Sequence, residues 1–159
     1  MSSPTDPAEG WAPLSTTTPT STRPAVVQLV TVVDIDDQLD QGLHASEMQV
    51  SARHEAELDN GRRVLLLDDR GWGGSGPPNI WATESLEILE EEARAVVGPD
   101  EPDERLGETA EVMAAYHYGM LDGILRQQGV EAGNLQRLPH RVEFTERVHA
   151  RLERAKRAE

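Results

Sequence analysis

The chain has 159 residues, enough for one domain with a buried core and too few for two large domains. Asp and Glu number 29 against 15 Lys and Arg, so the formal charge is −14. This charge disfavours nucleic-acid backbones and anionic membranes as partners, because both bind through Lys and Arg. The absence of cysteine excludes disulfides, thiolate catalysis and Cys-based zinc sites.

Residues 1–24 differ in composition from the rest of the chain. Ser, Thr and Pro occupy 15 of these 24 positions, and five of the ten prolines lie here. Such a segment cannot bury enough apolar surface to offset the entropy that ordering would cost. We therefore predict a disordered tail at 1–24 and a single α/β domain at 25–159.

Two apolar runs predict the main strands of this domain. Residues 26–33 contain five valines and a threonine, which favours a strand that is buried on both faces. Residues 63–67 form the second run and end at Asp68-Asp69. A third, weaker strand is predicted at 142–144.

The segment between the first two strands has two interpretations. His44, Met48, Ala52, Glu55 and Leu58 have helix-like spacing, which favours a strand–helix–strand unit with parallel strands. Asn60-Gly61 then follows as a helix cap, but the same dipeptide also suits a hairpin and would give an antiparallel sheet. We expect the helix and keep the hairpin as the alternative.

Three later segments show the pattern of amphipathic helices. One begins at the N-cap residue Thr83 and stops at Gly98-Pro99, one spans 109–128, and one follows Thr145. In the second helix an apolar residue recurs every four positions, and we expect this stripe to face the core. The stripe consists of Val112, Tyr116, Met120 and Ile124, and it is widened by Met113, Leu121 and Leu125. The predicted fold is thus a sheet of two or three strands covered by three or four helices.

The acidic residues are concentrated in the first two thirds of the chain. Residues 1–110 hold 22 acidic and 7 basic side chains, whereas residues 111–159 hold 7 and 8. A surface of this charge favours a basic protein as partner, because complementary potentials speed encounter and select partners. The candidate contact residues are the acidic cluster Asp100, Glu101, Asp103 and Glu104.

Aspartates at the ends of both strands suggest a metal site as the alternative. If the strands are parallel neighbours, Asp34, Asp36, Asp68 and Asp69 meet at one sheet edge, where carboxylates could hold Mg²⁺. The run Asp34-Ile35-Asp36-Asp37 resembles the first motif of haloacid-dehalogenase-like phosphotransferases. Gln38 departs from that motif, and no lysine exists in the middle of the chain to stabilise a phosphoryl group.

A glycine-rich segment follows the second strand. Residues 71–76 fit G-x-G-x-x-G, but Asp68-Asp69 would repel a pyrophosphate and Pro77-Pro78 prevent a helix from starting there. We expect a flexible loop that presents Trp72, with Trp81 nearby. The two tryptophans form a partner-binding hot spot or fold back onto the core.

The histidines give no recognisable site in the sequence. Glu146 and His149 form a single Glu-x-x-His pair, whereas bundle metal sites need two such pairs and further carboxylates. His54 and His140 are expected on the surface or in loops. We therefore expect neither a catalytic residue nor a cofactor.

Parts of the chain resemble a group of acidic actinobacterial proteins to which no function is attached. The similar stretches are Gly61–Trp72, Val97–Pro102 and Leu138–His140. The resemblance implies a bacterial, cytoplasmic setting. Separately, no apolar run in the sequence approaches the ~20 residues that span a bilayer.

Together these features predict a non-enzymatic acidic domain that binds a basic protein. Its most concrete form is an immunity or antitoxin-like inhibitor that masks a basic toxin. The alternatives are a small Mg²⁺-dependent hydrolase or phosphotransferase that uses the strand-end aspartates, and an accessory component of a larger protein assembly.

Overall fold

The computed structural model describes residues 23–36 and 46–158. Most of the predicted tail lies outside these ranges, as do Asp37 and His44. The described residues form one four-stranded mixed sheet and three α-helices. The predicted α/β class is confirmed, with four strands instead of the two or three expected.

The sheet contains strands β1 (Val26–Ile35), β2 (Glu47–Leu58), β3 (Arg63–Ser75) and β4 (His140–Phe144). Their order is β3-β2-β1-β4. The pairs β1–β2 and β2–β3 are antiparallel, and only β4 runs parallel to its neighbour β1. β2 therefore separates the two strands that were predicted to be neighbours.

The helix predicted between the first two apolar runs is wrong, and the hairpin alternative is correct. Along β2 even-numbered residues such as Met48, Val50 and Ala52 are buried, while odd-numbered ones face outward. A spacing of four residues fits a strand as well as a helix, because residues of equal parity share one strand face. Gly61 closes the turn with a φ of 89° and donates its N–H to Leu58 O at 2.9 Å.

The predicted glycine loop is the second half of β3. Gly71, Gly73 and Gly74 pair with β2. A Cβ on Gly71 would lie 2.5 Å from the carbonyl oxygen of Val50, so glycine allows the two strands to approach. Two register shifts opposite His54 mark bulges, which limit further pairing along this exposed sheet edge.

The helices are α1 (Leu86–Val96), α2 (Ala110–Gln127) and α3 (Glu146–Arg157). α1 starts later than predicted, because Ser85 caps it by accepting from the N–H of Ile88, and Thr83 ends a 3₁₀ turn instead. Thr109 caps α2, so this helix begins where it was predicted to begin. Among the residues that the structure describes, none of the helices combines the length and apolar composition needed to cross a bilayer.

All three helices cover the same face of the sheet. Leu121 and Leu125 of α2 pack with Leu58 in one core cluster. Leu89 of α1 and Val148 of α3 pack in a second cluster that includes Met48 and Val50. The two clusters lie along one sheet face because even-numbered residues of β2 contribute to both.

The opposite face of the sheet carries a neutral network of ion pairs. Arg63 spans the sheet and donates to Glu143 at 3.1 and 2.9 Å and to Glu57 at 3.3 Å. Hydrogen bonds with Glu143 raise the pKa of Arg63. Val30 lies on this face with no exposed area. The network contains Arg53, Glu55, Glu57, Arg63, Arg141 and Glu143.

The centre of the α2 stripe that was expected to face the core is exposed, whereas Leu121 and Leu125 at its edge are buried as predicted and Ile124 is half-buried against the core. Val112, Tyr116 and Met120 are 51%, 79% and 44% exposed, whereas His117, Leu121 and Leu125 are buried. Both sets repeat every four residues and differ by a rotation of about 100° about the helix axis. The buried stripe begins with the polar residue His117. The exposed stripe is therefore the more apolar of the two in the sequence, and it was predicted to face the core.

Candidate functional site: a groove beside α2

The structure does not bring the predicted metal ligands together. Asp34 lies at the end of β1, whereas Asp68 and Asp69 lie within β3, two strands away and therefore about 10 Å across the sheet. Asp69 is paired with Arg70 at 3.6 Å. Within the described ranges, no three acidic or histidine side chains are placed to share a metal ion.

Asp34 has a structural role at the junction of β1 and α3. Its carboxylate accepts from Arg147 at 3.1 and 3.0 Å and from the hydroxyl of Thr145 at 2.8 Å. Partial burial opposes ionisation, but these bonds and one from the N–H of Ile35 outweigh it and lower the pKa of Asp34. The neighbouring Asp36 donates its N–H to Gln49 O, which extends the pairing of β1 with β2.

The two tryptophans occupy different environments. Trp81 has no exposed area and lies in the core, where the Arg151 guanidinium sits 5.5 Å from its ring centroid. This burial corrects the assignment of Trp81 to a partner surface. Trp72 is half-buried against the same cluster, and its indole N–H donates to Glu92 at 3.1 Å.

The acidic cluster after α1 is an ordered turn. Asp103 caps a short 3₁₀ helix by accepting from the N–H of Arg105, and its own N–H donates to the carboxylate of Glu108 at 2.8 Å. Gly107 ends the turn with a φ of 75°. These bonds leave the side chains of Glu101 and Glu104 exposed to solvent.

A groove of about 350 Å³ runs between this turn, β3 and the flank of α2. Arg70, Asp100, Glu108 and His117 are its polar residues, and Val112, Met113, Tyr116 and Met120 are its apolar ones. Arg70 is fixed by donation to Val96 O at 2.9 Å. Two carboxylates therefore face one guanidinium, and the groove is acidic with a largely apolar wall.

His117 supplies a neutral polar group to the groove wall. Burial and the charge of Arg70 lower its pKa, against the opposing effects of a hydrogen bond with Val97 and the charge of Asp100. Its Nε2 is buried and has no hydrogen-bond partner among the described residues. The wall is thus uncharged at this point at neutral pH.

Two further histidines, the buried His54 and the half-buried His140, lie on strands of the sheet next to one another. The hydroxyl of Thr31 bonds His54 Nδ1 at 2.9 Å and His140 Nε2 at 2.6 Å, and the two rings are 5.1 Å apart. His54 is 2% exposed and Thr31 is fully buried. The surface prediction for both histidines is therefore wrong, because β2 and β4 place them next to Thr31 of β1.

Of the predicted acidic cluster only Asp100 lines the groove, and the second carboxylate, Glu108, and the apolar side were not predicted. Local composition at Asp100–Glu104 indicates an acidic turn but not the groove beside it. The apolar side depends on the rotation of α2 about its axis, and four-residue spacing alone does not define that rotation.

No family model, no curated protein and no solved structure matches this chain. Function therefore has to be inferred from the geometry of the groove and of the surfaces around it.

Proposed function

We propose that this chain is a non-enzymatic acidic domain that binds a basic protein through the groove beside α2. One observation carries the proposal: the groove places the carboxylates of Asp100 and Glu108 against the apolar side chains of Met113, Tyr116 and Met120. Binding hot spots combine apolar area with a few charged groups at the rim. An acidic surface that served solubility alone would not need this apolar wall.

The groove favours a partner segment that is both basic and apolar. Its apolar wall can bury partner side chains, and its two carboxylates exceed the single charge of Arg70. Glu101 and Glu104 stand exposed on the adjoining turn and extend the negative potential beyond the groove. A basic amphipathic helix presents Lys or Arg beside apolar residues at helical spacing, which suits this arrangement.

The most concrete form of this function is an immunity or antitoxin-like inhibitor that masks a basic toxin. Its carboxylates would then occupy the surface with which the toxin holds a phosphate backbone. The metal-dependent alternative has no support from strand positions, because Asp34 is bonded to Arg147 and lies two strands from Asp68.

We expect Asp100→Asn combined with Glu108→Gln to weaken binding of a basic amphipathic peptide by about tenfold or more. Both amides keep an oxygen that can accept the turn's hydrogen bonds, so the change removes charge with little change in shape. The measurement is fluorescence anisotropy of a labelled helical peptide of Lys, Arg and Leu, at low and high salt. The loss should be larger at low salt.

The matched control neutralises two exposed carboxylates of α1 outside the groove, Glu87→Gln with Glu91→Gln. This variant has the same net charge as the groove variant. Equal weakening by both pairs would mean that the overall field attracts the peptide and that the groove is not its site. A scrambled peptide of identical composition should bind less well, since it cannot present one apolar face.

A further inference from the structure

His117 places a hydrogen-bond acceptor in the wall of the groove. The residue is 7% exposed, and its Nε2 is buried without a hydrogen-bond partner among the described residues. A hydrogen bond with the backbone of Val97 raises the pKa of the ring, as donation to a carbonyl oxygen does. Since Nε2 makes no bond, Nδ1 is the nitrogen that donates. The neutral ring therefore has its proton on Nδ1 and a lone pair on Nε2.

This lone pair distinguishes His117 from the rest of the groove wall. Among the groove residues that the structure describes, His117 alone has a buried side-chain polar atom without a partner. Such atoms are rare in folded proteins, because burial removes the bond to water and supplies none in its place. A ligand that donates one hydrogen bond at this point would satisfy the acceptor.

The charges around His117 favour a neutral donor over a cationic one. The charge of Arg70 lowers the pKa of His117 more strongly than the charge of Asp100 raises it. The potential at the ring is therefore positive, although the groove as a whole is acidic. An ammonium or guanidinium group would be repelled at Nε2 and attracted to Asp100 and Glu108 instead.

We propose that the groove holds an indole ring whose N–H donates to His117 Nε2. Resting on the function proposed above, we assign the ring to a tryptophan side chain of the basic partner. Indole has a donor and no acceptor, so this one bond leaves no polar atom of the ligand unpaired. The groove volume of about 350 Å³ lies near the lower end of the range for ligand sites, about 300–1,000 Å³, and suits a single bicyclic ring.

The side chains around His117 suit an aromatic ligand. Met113 and Met120 lie one turn before and one turn after His117 on α2, and both line the groove. Methionine has three rotatable bonds and makes favourable sulfur–aromatic contacts, so both side chains can turn aside from Nε2 and then pack on the ring. Tyr116 is 79% exposed and offers an aromatic edge or face to the same ligand.

Free indole tests the site without a peptide. Benzofuran is the matched ligand, because it has the same shape with an oxygen in place of the N–H. We expect indole to bind the full chain about tenfold more tightly than benzofuran, which leaves Nε2 unpaired. The ¹⁵N NMR signal of His117 Nε2 should shift with indole and stay in place with benzofuran. Failure of indole to bind, or equal affinity for both ligands, would overturn the proposal.

His117→Phe identifies the acceptor. This variant lacks the Nε2 signal, which assigns it in the wild type, and it should bind indole and benzofuran equally. The comparison of the two ligands on the wild type does not depend on how the variant folds. A variant that folds and still prefers indole would contradict the role of Nε2.

Two exposed positions locate the ligand. Tyr116→Ser removes part of the groove wall and should weaken indole binding by about fivefold. Ile88→Ser is the control, because Ile88 is an exposed apolar residue of α1 outside the groove. Equal losses in the two variants would place indole elsewhere and contradict the proposal.

Peptides test whether the ring belongs to a partner. In the labelled basic helical peptide, one central leucine is replaced by tryptophan or by naphthylalanine, a bicyclic residue without an N–H. We expect the tryptophan peptide to bind about tenfold more tightly than the naphthylalanine peptide. If the leucine peptide binds and tryptophan adds nothing, the indole proposal fails and the proposed function stands. If free indole binds and none of the peptides does, the proposed function fails, and with it the assignment of the ring to a partner.

Discussion

Trp81→Ala is expected to lower the free energy of unfolding by about 3–5 kcal/mol, the usual cost of truncating a buried aromatic residue. The indole has no exposed area and packs in the cluster that contains Leu89 of α1 and Val148 of α3. Its removal would leave a cavity between two helices and the sheet, beside the Arg151 guanidinium. Urea denaturation followed by far-ultraviolet circular dichroism gives the change directly.

Two further variants show whether burial of the Trp81 ring causes this loss. The indole N–H of Trp81 has no hydrogen-bond partner among the described residues, so Trp81→Phe should recover most of the stability. Trp72→Ala should cost less, about 1–2 kcal/mol, because that ring is half-buried and its bond to Glu92 faces solvent. A larger cost at Trp72 than at Trp81 would be incompatible with the observed core.

Local signals in the sequence were sufficient for the helices and for three of the four strands. α2 has a threonine that accepts from the N–H of Val112 at its start and Gly129 just past its end, and both act within one turn of the helix. Val30 and Val33 of β1 are buried on opposite faces because helices cover one side and ion-paired side chains cover the other. Such features predict an element without knowledge of its neighbours.

The segment that forms β2 could not be assigned from spacing. Met48, Ala52 and Leu58 are compatible with both periods, and the strand is decided by pairing with β1 and β3. These contacts join residues that lie far apart in the chain, and tertiary context routinely overrides local preference. The prediction that Asp34 and Asp68 end two neighbouring parallel strands was wrong for the same reason, because it depends on which strands pair.

The candidate site was predictable only in its charge. The local composition around Asp100 and Glu104 predicts an acidic turn. The groove also requires Arg70 from β3 and Tyr116 from α2 to lie beside Asp100. A different rotation of α2 would bury Tyr116 and expose Leu121. α2 carries apolar residues on two sides. One side packs in the core, and the apolar residues of the other side are explained if that side binds a protein.

Acid should destabilise this protein before most of its carboxyl groups titrate, because His54 is buried and His140 half-buried without charge. Burial, and to a lesser degree the charges of His140, His117 and Arg70, lower the pKa of His54 to about 3. Burial and the charge of Arg94 lower the pKa of His140 to about 4. In the unfolded chain both side chains titrate near 6.5.

Between pH 6.5 and the lowered values the unfolded chain therefore binds more protons than the folded protein. Stability is complete about one pH unit above 6.5 and falls as the pH drops, by at most about 1.4 kcal/mol per pH unit for each histidine. His117, whose pKa burial also lowers, adds to the same trend. Asp34 and Glu143, with ordinary values of 3.8 and 4.5 and lowered pKa, contribute only at lower pH.

The measurement is urea denaturation at several pH values between about 7 and about 5, the window in which the histidines dominate. His140→Gln removes one titrating ring and should reduce the slope of stability against pH. Thr31→Val keeps both rings but removes the hydroxyl that bonds them, at a cost of about 1–3 kcal/mol from the nitrogens it leaves unpaired. That loss should be nearly the same at every pH in the window, so the Thr31→Val curve should run parallel to the wild type. If the free energy of unfolding of the wild type does not change over this pH range, the rings take up protons in the folded protein. That result would contradict the prediction, because the hydrogen bonds of both rings to one buried hydroxyl disfavour protonation.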